Sequence, residues 1–164
     1  MKRNCCRVTG LVLAALALVG PARVETAQEP SESSAGLNQV LEWNQIFVDS
    51  LIATNTANSS SQRLGAIVHT AIFDAYNGIE RRYTPIFVHN SAPHRASRRA
   101  AVIGGAYTAL VGVFPSRQSA LDDSYAASLE ALSDDAGDGG ESRERGIAWG
   151  TKVAQAVVDW AAAD

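Results

Sequence analysis

The sequence predicts an all-α fold, a bundle of about five helices, and three observations support this prediction. Apolar residues recur at spacings of three and four in successive segments, as on one face of an amphipathic helix. Glycine, proline and asparagine residues separate these segments where helices would end. No segment needs a strand ladder to bury its apolar residues. With 164 residues, 46% of them hydrophobic and 19% charged, the chain has the composition of one modest globular domain.

The amino terminus, residues 1–27, is predicted to be a signal peptide. Three basic residues precede an apolar run from Val8 to Val19, which is the layout of a secretory leader. At ~1.5 Å rise per residue this run is too short for the ~30 Å hydrocarbon core of a bilayer. We therefore expect cleavage after Ala22 or Ala27, with a retained anchor as the alternative. The cleaved protein would be exported, periplasmic or secreted, and not held in a membrane.

The cysteine content limits the kinds of disulfide and metal site that the chain can form, and the net charge limits the kinds of partner that it can bind. Cys5 and Cys6 are the only cysteines and lie before the apolar run, so neither a disulfide framework nor a thiolate metal site is expected in the mature chain. The net charge is −3, from 14 Lys and Arg against 17 Asp and Glu. Because nucleic-acid phosphates require a basic surface, nucleic acid is not expected as a partner.

The first helix is predicted to follow a linker. Residues Gln28 to Gly36 are polar, contain proline and glycine and lack periodicity, which is typical of a flexible linker. The helical domain is thus expected to span residues 37–164. Its first helix is predicted from Leu37 to Ile52 by apolar spacings of three and four, and the polar cluster Asn55 to Ser61 ends it.

The second helix is predicted from Leu64 to Tyr76, with one of Ser59 to Ser61 as its N-cap and Asn77-Gly78 as its stop. It carries a second apolar side around Phe73, with His69 on the flank nearest to it. A helix that is apolar on two sides is normally buried between layers. We therefore expect a further layer over this helix, from another chain or from sequence that is not present here.

The third and fourth helices are separated by Pro115. Residues Ile79 to Pro93 are predicted to form a loop with at most one extended stretch, and the third helix is expected from Ser97 to Phe114. Gly104-Gly105 in the middle of this helix lowers helix stability by about 1 kcal/mol per glycine relative to alanine. This loss is tolerable where another helix approaches closely. The serine after Pro115 is predicted to cap the fourth helix, whose inner face includes Leu121 and Leu132.

The last helix is expected from Glu141 to Ala161, with a stripe of small residues flanked on one edge by Trp149 and Trp160. The preceding segment Asp134 to Gly140 is predicted as a solvated loop. Its aspartates resemble those of a calcium loop, but the glutamate that such a loop requires at its twelfth position does not line up.

No catalytic, cofactor-binding or metal-binding residue is predicted from motifs, because the common hydrolase, phosphate-loop and zinc signatures are absent from the sequence. His69 and Asp74 are five residues apart and do not share a helical face, so a hydrogen-bonded structural histidine is favoured over a general base. The residues predicted to serve packing or an interface are His69, Phe73, Asp74, Trp149 and Trp160.

One basic stretch follows the second helix and could attract an anion or an acidic partner. The alternative is a solvated loop that pairs with the acidic region between Asp122 and Glu144. The basic residues are Arg81, Arg82, His89, His94, Arg95, Arg98 and Arg99.

Several segments, in this order along the chain, resemble the amino-terminal helical half of bacterial vanadium-dependent haloperoxidases, in the superfamily shared with type 2 phosphatidic acid phosphatases. The resemblance covers about residues 37–164 and implies an α-helical fold and export. The segments are VLEWNQ from Val40, AIVHTAIFDAYNGI from Ala66, ASRRAAVIGGAYTALVGVFPSRQ from Ala96, LDDSYAASLEAL from Leu121 and RGIAWGTKVAQAVVDWAAAD from Arg145.

The resemblance also implies that the chemistry lies elsewhere. In that family the oxyanion, vanadate or phosphate, is held by Lys and Arg, by a Ser-Gly-His segment and by a later Arg-and-His segment, all in the carboxy-terminal half. This chain has one lysine after the leader, Lys152, and neither an Arg-Pro nor a Gly-His dipeptide. None of the family's catalytic residues is carried over, and no vanadate or phosphate is expected in this chain.

Two hypotheses follow. The first is a truncated haloperoxidase-like or phosphatase-like protein, inactive alone, since the chain stops at Asp164 where family members would continue into the catalytic half. Its partner would be that missing half. The alternative is a self-sufficient exported helical module that binds a partner, or forms a homo-oligomer, through the Phe73 side of the second helix and the edge formed by Trp149 and Trp160.

Overall fold

The computed structural model describes residues 32–133 and 139–164, and within these ranges the fold is all-α with five helices, as predicted. The predicted leader and residues 134–138 of the predicted acidic loop lie outside the described residues. The helices are α1 (Glu32–Ala53), α2 (Asn58–Glu80), α3 (Arg98–Val113), α4 (Gln118–Ser133) and α5 (Gly140–Ala163), with a 3-10 turn at Pro115–Arg117 between α3 and α4.

The third helix, α3, is the centre of the bundle and contacts each of the other four helices. Every residue from Ala100 to Ala106 is buried, as are Ala109 and Leu110. This follows from the sequence, because no charged residue occurs between Arg99 and the end of the helix. Ser97 begins the helix as its N-cap, and its hydroxyl oxygen accepts a hydrogen bond from the Ala100 N–H at 3.1 Å.

Helices α3 and α5 run parallel with their backbones in contact. The Ser97 N–H donates to the Ser142 carbonyl at 2.9 Å near the start of both helices, and Gly112 lies against Val158 near their ends. A Cβ atom placed on Gly104 would lie 2.8 Å from the Ile147 carbonyl oxygen. The prediction that the central glycines permit a close helix approach is therefore confirmed, and α5 is the helix that approaches.

The helix boundaries differ from the predicted ones at the starts of α1, α2 and α4 and at the end of α2. Helix α2 begins at Asn58 with Ala57 as its N-cap, so the predicted caps Ser59 to Ser61 lie inside the helix. Helix α4 begins at Gln118, and its predicted cap Ser116 lies in the 3-10 turn before it.

Residues 32–36, predicted as linker, are helical, and their Glu-Ser-Ser start is a favourable composition for a helix amino terminus. The second helix does not stop at Asn77-Gly78 but continues to Glu80, and Arg81 ends it in the left-handed region with φ 54°. Asn77 and Gly78 resemble a helix stop in the sequence, but Asn77 binds Tyr83 of the following loop and Gly78 leaves room for the Trp149 ring of α5.

Residues 81–97 form no helix or strand and fold back along α2. The sequence predicts that another chain or absent sequence covers the second apolar side of this helix, but the loop of the same chain covers part of it. No helix in the described ranges is long and apolar enough to cross a membrane.

Candidate functional site

The candidate site is a surface beside α2 that we call the aromatic face. Three of its side chains are largely exposed: 65% of Tyr83, 62% of Ile86 and 53% of Trp160. Grouped exposed apolar side chains of this size mark interaction sites more often than single ones do. The face consists of Phe73, Tyr83, Ile86, Phe87 and Trp160.

Two separate ring contacts link the elements that carry the aromatic face, one between α2 and the loop and one between the loop and α5. The ring centroids of Phe73 on α2 and Tyr83 in the following loop are 6.3 Å apart. Phe87 of the loop stacks on Trp160 of α5 with a centroid separation of 5.0 Å and an interplanar angle of 28°. Such pairs contribute about 0.5–1.5 kcal/mol beyond the area they bury, so the outward side chains hold one another in place.

Asp74 fixes the loop that carries this face. Its carboxylate is fully buried and accepts hydrogen bonds from three consecutive backbone N–H groups, those of Ile86 at 2.8 Å, Phe87 at 2.7 Å and Val88 at 2.8 Å. Hydrogen bonds to an ionised group are about twice as strong as neutral ones. Asp74 is therefore a positioning residue for the aromatic face.

Asn77 holds the same loop three residues further along α2. Its side-chain amide donates to the Tyr83 carbonyl at 2.7 Å, and its amide oxygen accepts from the Tyr83 N–H at 3.0 Å. The next residue, Gly78, accepts at its carbonyl from the Ala92 N–H at 3.1 Å. The loop is thus tied to α2 at its start, middle and end.

Trp149 lies beneath the aromatic face and is not part of it. Only 4% of the residue is exposed, its indole N–H donates to the Ala75 carbonyl at 2.9 Å, and its ring packs against Gly78, where any side chain would collide with it. The predicted edge formed by Trp149 and Trp160 is therefore not one surface. Both lie on one side of α5, but Trp149 is covered by the last turns of α2 at Ala75 and Gly78, whereas Trp160 lies near the end of α5.

A groove runs beside Trp160 between α2, the loop and the end of α5. It encloses about 190 Å³, and most of its surface is apolar. At its rim the Arg63 guanidinium donates to the Asp164 carboxylate at 3.0 Å and to the Ala161 carbonyl at 2.8 Å. The other residues that line it are Ala66, Ile67, Thr70 and Ile86.

His69 lies on the other side of α2, against α1. Its ring nitrogen Nε2 is 3.1 Å from the Asn44 side-chain oxygen, and its ring meets the Phe47 ring edge-on. This is the hydrogen-bonded structural histidine that the sequence favours. Burial lowers the pKa of His69 below its usual value of 6.5.

Acidification is expected to destabilise the fold through His69. Because its pKa is lower in the folded chain than in the unfolded chain, the unfolded chain takes up the proton first, and stability is lost as pH falls below about 6.5. Replacing His69→Gln should reduce the loss of stability between about pH 7.5 and pH 5.5, measured by urea denaturation. The control is His94→Gln in the exposed loop; an identical pH response of wild type and His69→Gln would contradict the prediction.

The residues of the basic stretch lie in three environments: some pair with neighbouring helices, some line an open cleft, and the rest are exposed. Arg98 donates to Glu80 at 2.7 Å and Arg99 donates to Gln39 at 3.1 Å, so both bind groups of neighbouring helices. Arg95 and Arg98 line an open cleft of about 550 Å³ with Arg145. Glu141 also lines it and accepts from Arg145 at 3.0 Å. The remaining basic residues, Arg81, Arg82, His89 and His94, are exposed.

The lysine and the histidines of the described residues do not lie together as in the oxyanion pocket that the resemblance describes. Lys152 is exposed on α5, His69 faces α1, and the other two histidines are exposed in the loop. Within the described ranges there is no group of three or more His, Cys, Asp and Glu residues that could hold a metal ion. Comparisons of the chain with protein-family models, with curated proteins and with solved structures found no match.

Sequence reasoning identified Phe73, Asp74 and Trp160 but missed Tyr83, Ile86 and Phe87. The available signal was the apolar content of the segment around Ile86 and Phe87, which is unusual for a loop that only faces water. Their position against Asp74 and Trp160 depends on contacts across the chain.

Proposed function

We propose that the chain is a non-catalytic helical docking module that binds an apolar protein surface through its aromatic face. The observation that carries this proposal is the exposure of Tyr83 and Ile86 on a loop that buried side chains of α2 hold in place, next to the exposed Trp160 of α5.

The way the loop is held favours binding over incidental exposure. A loop that is free in solution must be ordered when it binds, at a cost of about 1–2 kcal/mol for each residue whose backbone becomes fixed. Here Asp74 and Asn77 already fix the backbone of Tyr83, Ile86 and Phe87. A preorganised apolar surface binds more tightly because this ordering cost is met in folding.

We further propose, from the resemblance, that the module is exported and corresponds to the helical half of a haloperoxidase-like or phosphatase-like protein without oxyanion chemistry of its own. This rests on the quoted segments and on the side chains at Lys152 and His69, which do not form an anion pocket.

The chain is expected to show neither vanadate-dependent bromination nor phosphate-ester hydrolysis above a buffer blank. The measurement is bromination of a dye indicator with hydrogen peroxide, bromide and added vanadate, and hydrolysis of an aryl phosphate, by the purified chain. Because no described group of residues resembles the family's oxyanion ligands, added vanadate should have no effect. Bromination that rises with vanadate and saturates would contradict the proposal.

Docking is tested by binding of an apolar fluorescent dye together with thermal unfolding. We expect the native chain to bind the dye and then to unfold in one cooperative transition. Ile86→Ser should reduce dye binding at least about twofold because it removes a central apolar group of the face. The matched control is Ile52→Ser on α1, which is 73% exposed and belongs neither to the aromatic face nor to the groove beside it.

The outcomes separate the two hypotheses. Cooperative unfolding without dye binding, at a protein concentration where the chain is monomeric, would contradict the docking module. Dye binding without a cooperative transition indicates a partly folded chain, as expected for an isolated enzyme fragment. An equal loss of dye binding in Ile86→Ser and Ile52→Ser would show that the aromatic face is not the preferred apolar surface.

A further inference from the structure

We propose that the partner of the aromatic face is a second copy of this chain, and that Trp160 of each copy enters the groove of the other. This inference rests on the proposed docking function and names its partner.

The groove is the size of a side chain and not of a ligand. Its volume of about 190 Å³ is below the ~300–1,000 Å³ of pockets that bind small molecules. Its apolar lining, which includes Ile67 and Ile86, excludes a strongly polar occupant. One large apolar side chain supplied by a protein surface suits this volume.

A side chain of the required kind projects from the rim of the same groove. Trp160 lines the groove and is still 53% exposed. A surface that carries both the projecting side chain and the cavity can pair with itself around a two-fold axis, since each copy then fills the groove of the other. Buried tryptophans at the centre of an interface commonly contribute most of its binding energy.

The charges at the rim also suit a second copy. Arg63 and Asp164 carry opposite charges, and their side chains are 56% and 64% exposed although they pair with each other. Under a two-fold axis at the groove, Arg63 of one copy can approach Asp164 of the other. A partner surface of a single charge sign would be repelled by one member of this pair.

The test is the association of the purified chain, measured by sedimentation equilibrium between about 1 and 200 µM. We expect a reversible dimer. Trp160→Ala removes the projecting side chain and should weaken dimerisation at least about tenfold. Ala66→Trp fills the groove from within the same chain and should weaken it to a similar degree. Ile52→Ala, which removes an exposed side chain from α1, should leave the dissociation constant unchanged.

Mixing the two weakened variants gives the most specific result. Trp160→Ala retains an open groove and Ala66→Trp retains the projecting indole, so the mixed pair can form one of the two insertions. The mixture should associate more tightly than either variant alone, a recovery that nonspecific apolar association does not produce. Circular dichroism and unfolding midpoints of each variant show that the fold is kept.

Failure of this inference is distinguishable from failure of the docking function. A chain that stays monomeric at every concentration but binds the dye through its aromatic face overturns the second copy and leaves docking to a different protein, such as a catalytic half. A monomer that does not bind the dye overturns both. A dimer that Trp160→Ala leaves intact and Ile52→Ala weakens would place the interface on α1 and overturn the inference.

Discussion

Replacing Gly150→Ala is expected to destabilise the protein by about 3 kcal/mol or more, although alanine is the better helix former. A Cβ atom on Gly150 would collide with the Ala101 carbonyl of α3 and would lie 2.7 Å from the Gly105 backbone nitrogen. These obstacles are backbone atoms of a buried helix, so they cannot rotate away as the end of a side chain can. The two helices must separate, and the contacts of the central helix α3 are lost along much of its length.

The measurement is urea denaturation followed by circular dichroism, with Gly140→Ala as the matched control. Gly140 is the first residue of the same helix, and a Cβ atom there meets nothing within 4 Å. We expect the control to be neutral or slightly stabilising, since alanine reduces the entropy of the unfolded chain. Because a domain of this size has a stability of only about 5–15 kcal/mol, Gly150→Ala should lower the midpoint strongly. Equal midpoints for the two variants would show that α3 and α5 are not in backbone contact.

The helices and their order could be predicted from the sequence because apolar periodicity is a local property. The glycines at 104 and 105 even indicated a close helix contact, since a glycine pair in a helix interior is unfavourable unless something requires it. Which helix contacts these glycines could not be predicted from the sequence in the same way. That α5 lies parallel to α3, with Gly150 opposite Ala101, is a property of the packed bundle.

Only part of the candidate site could be predicted, because the rest depends on contacts between different elements of the fold. Phe73 and Trp160 stood out as large apolar residues that the helical patterns did not fully bury. Asp74 was also predicted as a packing or interface residue, but its role in holding the loop was not, because its three hydrogen-bond donors lie 12–14 residues later in a segment without periodicity. Trp149 and Trp160 looked equivalent on α5, but their exposures are 4% and 53%, because Trp149 packs against Ala75 and Gly78 whereas Trp160 borders an open groove.

Replacing Asp74→Asn is expected to destabilise the fold by about 3 kcal/mol and to release the loop that carries the aromatic face. Asparagine has nearly the same shape, so the packing between α2 and the loop is kept. However, it lacks the negative charge, and its amide N–H₂ group would point at N–H donors of Ile86, Phe87 or Val88. At least one buried donor then lacks an acceptor, which costs about 1–3 kcal/mol in addition to the charge-assisted bonds that are lost.

Two measurements separate this local effect from general unfolding. Amide hydrogen exchange should increase by about tenfold or more at residues 86–88 while α3 stays protected, because loss of the carboxylate opens the loop before the helical core. Dye binding and dimerisation should both fall, since Tyr83 and Ile86 are no longer held in position. The control is Asp49→Asn on α1, an exposed carboxylate that accepts a hydrogen bond from the Gln45 side chain at 2.9 Å. If Asp74→Asn preserved both exchange protection and dimerisation, the buried carboxylate would not be what positions the aromatic face.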